Sequence, residues 1–299
     1  MFEGWPFGEY PREGLQRLGP HVVAYYGGGF PVSNSAIVRG SEATMVFDAN
    51  MLRYARELRA AVDSEPDPPL GELVLSHVHE DHSFGAMHFA PPARVSAHEY
   101  TRDKLAAWTA ESLDSADLAD MYPGAREEAG ELRIVVPDNV VEEPERLDLG
   151  GGVVADLFPE PEAHTRGDLW AFVEPDGVAL CGDLWFADCE PYLGSGSVNG
   201  AMLAIGRLRE SQANAYLPGH GPAGVLHPTP GEDPVERYCA WLLDQVATLE
   251  SLEGEELAAV VRSRYEAQRE RPGGVSFPFA IPGFLEESVK AAVRDVGRR

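Results

Sequence analysis

The 299-residue sequence predicts an α/β protein, a four-layer αββα sandwich followed by a helical C-terminal extension. Two observations carry that expectation. Short β-rich runs near the start are separated by glycines and then give way to helical spacing, a β-β-β-α-β opening that makes half of such a sandwich. A second series of strand-like runs follows a polar helical stretch and supplies the other half. The 44% hydrophobic content suits a soluble globular chain with a sizeable core, organised as one large domain or two small ones.

Residues 22–26, 35–38 and 44–48 read as the first strands, with Gly27-Gly28-Gly29 and Gly40 between them. Leu52, Ala55, Leu58 and Val62 recur at helical spacing, and the proline-rich 65–69 closes that helix. Residues 73–75 and 93–96 continue as strands. A polar helix is expected over 100–121, ending before Pro123-Gly124. Strands follow at 132–136, 140–141, 147–149 and 153–158. Residues 170–173 and 178–181 should pair as a hairpin around Glu174-Pro175-Asp176-Gly177. Helices are expected at 199–209, 235–252 and 255–268, with a short strand at Tyr216-Leu217 between the first two. The apolar, proline-punctuated run 275–284 is read as core packing first. A cover over a pocket mouth or a homodimer contact are its alternatives.

The chemistry concentrates in His77-Val78-His79-Glu80-Asp81-His82, three imidazoles and two carboxylates directly after a strand. These are the ligands that borderline metals such as zinc prefer. His77 and His79, at i and i+2 of an extended segment, point the same way and can grip one ion. A turn can then aim Asp81 and His82 at a second. Catalytic zinc sites keep a position for water, so further ligands must come from elsewhere in the chain. Three later segments qualify: His164 before the apolar run 168–173, Asp183 at the end of a strand-like run, and His220 between two glycines that let the backbone turn.

This pattern strongly resembles the metallo-β-lactamase fold superfamily of metallohydrolases. That family carries HxHxDH after a strand, a lone His, an Asp after a Gly and a final His. Residues 77–82, His164, Gly182-Asp183 and Gly219-His220-Gly221 match in that order, and the likeness spans roughly residues 20–225. The resemblance implies that His77, His79 and His164 hold one metal, that Asp81, His82 and His220 hold another, and that Asp183 bridges them. It implies two zinc ions, with iron or manganese as alternatives. It divides the chain into a catalytic domain over 1–224 and a mostly helical extension over 225–299 packed on the same domain. Asp48 matches a family position that braces the metal loop by hydrogen bonds. Ala163 stands where many members have Gly, and Phe84-Gly85-Ala86 replaces a Gly-Gly pair. One large class of zinc β-lactamases has Cys at the Asp183 position, which argues against a β-lactam substrate. Diiron flavoproteins of this fold usually have Glu at the His79 position. Gly167–Leu169, Gly182–Phe186 and Pro191-Tyr192 look most like bacterial metallohydrolases near the sulfur-oxidation and quinoprotein-associated members.

Other residues divide between chemistry and packing. Asp81 could cap the following helix, but His82 beside it and the later set favour ligation. Glu80 reads as solvent-facing or as a support behind the ligands, Cys181 as buried and inert, and His21, His88, His98 and His227 as surface or hydrogen-bonded histidines. Tyr25, Tyr26 and Phe30 flank a glycine run like the hairpin that overhangs the site in this fold; an ordinary loop is the equal alternative. Trp185, Phe186 and Tyr192 are further candidates to line the pocket. The net charge of −25, from 49 acidic and 24 basic residues, repels phosphate backbones and disfavours nucleic acid. No secretory signal or membrane-length apolar run is visible. Three cysteines without a CxxC pair suggest a cytoplasmic protein; the expected partner is a small-molecule substrate, with a homodimer left open. The expected function is hydrolysis of an ester, thioester, lactone or amide, with Asp81 and Asp183 positioning the nucleophile. A mononuclear-iron persulfide dioxygenase and a cyclase-like tailoring protein are the rivals.

Overall fold

The computed structural model describes residues 14–27, 33–108, 130–269, 271, 273–278 and 283–297. One sheet has seven strands in sequence order: β1 (Gly14–Arg17), β2 (Val22–Tyr26), β3 (Asn34–Arg39), β4 (Thr44–Phe47), β5 (Leu70–Val74), β6 (Arg94–Ala97) and β7 (Asn139–Val140). The first four run antiparallel, and β4 to β7 run parallel. The other sheet has the order β12-β11-β10-β9-β8. Its strands are β8 (Glu145–Asp148), β9 (Val154–Glu160), β10 (Asp168–Glu174), β11 (Val178–Phe186) and β12 (Ala215–His220). All its pairings are antiparallel except β11 with β12.

Three apolar layers result from strict alternation along the strands. On β3 and β4, Ala36, Val38, Met45 and Phe47 face the second sheet, while Ile37 and Val46 face outward. On β10, Leu169, Ala171 and Val173 meet them across the sandwich, and Trp170 faces the other way. The outer face of the first sheet is covered by α1 (Leu52–Asp63), whose Ala55, Leu58 and Val62 are buried. The outer face of the second is covered by α4 (Val198–Glu210), α5 (Pro234–Thr248), α6 (Gly254–Arg269) and α7 (Phe284–Gly297). Two short helices, α2 (Glu80–Ser83) and α3 (Glu99–Ala106), follow β5 and β6. The protein is therefore an αββα sandwich with C-terminal helices. Among the described residues no helix is long and apolar enough to cross a membrane.

Several expectations shift in detail. Residues 132–136 form no strand: Leu132 is buried against the outer layer of the first sheet, and Asp138 Oδ1 accepts from Val95 N at the edge of β6. Residues 139–140 take the edge instead. The helix expected over 100–121 is described only as α3, and 109–121 lie outside the described residues. α5 stops at Thr248 rather than 252. β1 and α7 are elements that no sequence expectation covers. Within 275–284, Val275 and Phe277 are buried, and Phe277 meets Tyr238 edge-on at 5.6 Å, which is core packing. Residues 279–282 lie outside the described residues.

Leu157 of β9 is fully buried between the sheets. Leu157→Ala should destabilise the fold by about 2–5 kcal/mol through lost burial and a residual cavity, read as a lower urea midpoint at unchanged m-value.

Candidate metal centre

The C-terminal ends of parallel strands β4, β5, β11 and β12 come together at one edge of the sandwich, and the chemistry-bearing side chains sit there. β5 delivers Leu75-Ser76-His77, and α2 carries Asp81 and His82. His164 lies in the β9–β10 connection, Asp183 within β11, and His220 ends β12. The site thus draws on both sheets.

Asp48, fully buried just after β4, organises the first-sheet half. Its Oδ1 accepts from Ser76 N at 2.7 Å, and its Oδ2 accepts from Ser76 Oγ at 2.8 Å. Oδ2 also lies 2.7 Å from His82 Nδ1, which donates to it. Because the Ser76 hydroxyl proton points at Asp48, Ser76 Oγ must accept from His77 Nδ1, 2.9 Å away. Both histidines therefore carry a proton on Nδ1 and turn Nε2 to the centre. An aspartate tolerates the left-handed backbone this needs, with φ of 61° at Asp48.

The second-sheet half is fitted as closely. Gly182 has φ of 51°, and a side chain there would press on Ser76 Cβ. A Cβ on Gly219 would collide with the Asp183 carboxylate, so glycine lets β12 approach β11 at that point. Asn34 of β3 donates to Pro218 O at 2.9 Å and Gly221 O at 2.6 Å, tying the His220 turn to the opposite sheet. Thr165 N and Oγ1 both donate to Asp168, whose buried carboxyl is pushed up to about 7, and this turn holds His164.

Seven donors converge in two groups. His77 Nε2 and His164 Nε2 each lie 2.9 Å from His79 Nδ1. Asp183 Oδ2 faces this trio, 3.2 Å from His164 Nε2 and 3.9 Å from His77 Nε2. In the second group, Asp81 Oδ2 lies 3.2 Å from His220 Nε2 and 3.6 Å from His82 Nε2. Asp183 turns its other oxygen to them, with Oδ1 3.2 Å from His82 Nε2 and 3.6 Å from His220 Nε2. Within each group the donor atoms all lie within 4.8 Å of one another. His82 Nε2 and Asp183 Oδ1 are buried and close, yet neither makes a well-formed hydrogen bond. They share a point in space rather than pairing, which is how donors around a cation are arranged. The residues present fit a two-metal site.

The electrostatics agree. Burial, reinforced by neighbouring imidazoles, holds His77 well below its ordinary range, and burial drives His164 down to about 3. Burial also lowers His79. These three stay neutral, with lone pairs available. Burial disfavours charge on His82 as well, but the carboxylates of Asp183, Asp81 and Asp48 outweigh it and hold its pKa well above the usual value. Burial likewise opposes ionisation of Asp183, yet His82, His220 and His164 keep its carboxyl well below the carboxylate range. The buried carboxylates of Asp48 and Asp183 and the half-buried Asp81 thus demand positive charge at this spot.

The remaining expected residues separate. Tyr192 lies over the site, its ring 5.8 Å from His79 and 6.1 Å from His164. Phe186 stacks on His220 with centroids 5.6 Å apart. Tyr25 turns instead to α1, donating to Glu57 Oε2, and Tyr26 donates to Gln16 and accepts from Ala223 N. Trp185 packs on Tyr216 and donates to Asp233, away from the imidazoles. Phe30 lies outside the described residues. His21 pairs with Asp176, and His98 caps α3. Ser195 was not expected: its Oγ lies 3.0 Å from His79 Nε2. The small-residue run Gly194-Ser195-Gly196-Ser197 offered only a loop signal.

Comparison with known proteins places this geometry. The model of the Metallo-beta-lactamase superfamily matches residues 28–220, most of the chain, and that segment contains all seven donors. A metallo-beta-lactamase from Pontibacter korlensis is similar in structure at 18% identity and TM-score 0.54, over 71% of this chain and 93% of that one. The stereoselective inverting sec-alkylsulfatase Pisa1 from Pseudomonas sp. is similar at 17% identity and TM-score 0.67. That match covers 95% of this chain and 50% of the sulfatase. At such identities these are likenesses of fold. No curated protein matches the chain significantly.

Asp48→Ala would strand the Ser76 amide and His82 Nδ1 in a buried place. A loss of about 1–3 kcal/mol for each orphaned group is expected in urea unfolding, while Asp48→Asn should lose less.

Proposed function

The chain belongs to the Metallo-beta-lactamase superfamily, and we propose that it is a hydrolase of small molecules dependent on two zinc ions, iron or manganese being alternative occupants. The observation that carries this reading is Asp183, whose two oxygens face two different donor groups. His77, His79 and His164 would hold one ion, Asp81, His82 and His220 the other, with Asp183 between them. Bound there, such ions would supply an activated water at neutral pH and Lewis-acid polarisation of the bond under attack.

The chain's own residues do the rest. Asp81 is the more accessible carboxylate, its side chain 14% exposed against 5% for Asp183, and would take the nucleophile's proton. Asp183 orients the attack. Phe186 and Tyr192 line the site with apolar surface that excludes water and favours a substrate with an apolar part. The bond cleaved is an ester, thioester, lactone or amide. The fold neighbours described as a metallo-beta-lactamase and an alkylsulfatase support hydrolysis as the reaction type and add sulfate esters to the substrates worth assay. The three cysteines are buried and unpaired, which supports a reducing, cytoplasmic setting.

Metal analysis of the purified protein, joined to a screen of lactone, thioester, ester, sulfate ester, β-lactam and persulfide substrates, tests the reading. Two zinc ions per chain with hydrolytic turnover are expected. One iron per chain with oxygen consumption on a persulfide would overturn it in favour of the dioxygenase. Asp183→Ala and His79→Ala should each reduce kcat/KM by more than about 100-fold, since even outer partners of metal ligands are worth about 10–100-fold. Full activity in either variant would sink the two-metal mechanism. Zinc affinity should also rise with pH, because His82 holds a proton at neutral pH that the metal must displace. The pH dependence of chelator competition measures this, and a pH-independent affinity contradicts it.

A further inference from the structure

The last helix, α7, lies wholly outside the family-matched segment 28–220, yet it grips the loop that reaches the metal centre. Ser288 Oγ accepts from Leu193 N at 3.3 Å. Arg294 donates to Gly194 O at 2.9 Å and Gly196 O at 3.2 Å. Asp295, buried, accepts from Ser197 Oγ at 2.9 Å and Asn199 N at 2.8 Å. Phe284 packs on Tyr192 with ring centroids 5.0 Å apart. From the other side, Gly196 sits so close to Ala163 O that a Cβ would clash there. The loop 192–199 is thus held at nearly every residue, and in its middle Ser195 Oγ lies 3.0 Å from His79 Nε2.

A neutral imidazole has one proton and one lone pair, and the partner of one nitrogen decides what the other can do. When His79 Nε2–H donates to Ser195 Oγ, Nδ1 is left bare, and Nδ1 is the atom that meets His77 and His164. His77 has its tautomer set, and His82 its Nδ1 proton held, by Ser76 and Asp48 of the first sheet. Among the described residues the hydrogen bond that His79 makes outside the cluster goes to Ser195, and Ser195 is placed by α7.

We infer that Ser195 is a positioning residue for the metal ligand His79 and that the C-terminal helix α7, through Arg294 and Asp295, completes the first metal site. The inference rests on the two-metal reading and adds to it a dependence on residues outside the family-matched segment. Outer partners of ligating histidines are worth about 10–100-fold in metal affinity, whereas a loop anchor with a purely structural role would alter stability and leave metal affinity alone.

The experiment measures stepwise zinc affinity by chelator competition in the full-length protein, with urea stability of the same samples. Ser195→Ala removes one half-buried oxygen and should weaken one of the two zinc ions by about 10-fold or more, leaving the other within about twofold. Ser195→Thr restores the hydroxyl and should recover most of the affinity. Arg294→Ala, an exposed position, should weaken the same zinc ion, and combining it with Ser195→Ala should add little, because both act through one contact. Unchanged zinc affinity in Ser195→Ala, or a loss in Arg294→Ala confined to stability, would overturn the inference while the two-metal reading stands. A wild-type protein that binds no zinc, iron or manganese would remove both.

Discussion

The centre depends on making a buried carboxylate tolerable. Asp183 sits within β11, shielded from water, where an isolated charge would be driven to neutralise. It stays ionised chiefly because His82, whose pKa is held well above its usual value, lies 3.2 Å from its Oδ1. That requirement reaches into the backbone. β12 can approach only because Gly219 has no side chain to meet the carboxylate, and Gly182 takes a left-handed turn so that the strand passes Ser76. The irregular register between β11 and β12 at these residues is the structural record of fitting the charge.

Asp48 plays the complementary part on the first sheet. A short chain of hydrogen bonds runs from it through Ser76 to His77 and directly to His82, so one buried side chain fixes the Nδ1 protons of two histidines, one after β5 and one on α2. Asn34 then ties the first sheet to the carbonyls around His220. The two sheets contribute comparable shares, and polar contacts at the site rim hold them in register where the apolar layer between them ends.

Much of this was legible in sequence. The six-residue cluster, His164, Asp183 and His220 were readable because metal-ligating side chains are chemically unlike their neighbours and stand after strand-like runs. The sandwich was legible because β2, β3, β4 and β10 coincide with short β-rich apolar runs, most of them bounded by turn residues, and α1 with helical spacing. Trp185 was named because it follows Asp183, and its contacts with Tyr216 and Asp233 depend on an irregular register between Leu180 and Phe186 that the sequence does not display. Residues 132–136 have strand composition, but the sheet edge was taken by Asp138 and the pair that follows it. Ser195 and α7 were invisible because their contacts join residues about a hundred positions apart through serine, arginine and aspartate, types that mark no site by themselves.

The donors come from both sheets, so the centre works as a clasp across the seam of the sandwich. Anything that binds there binds only the docked arrangement, and docking and ligand capture become one equilibrium. Substitutions deep between the sheets, at positions such as Ala36 or Leu180 that touch no donor, would then be felt as changes in ligand affinity. For this molecule the packing between the layers is a remote control on chemistry at its edge.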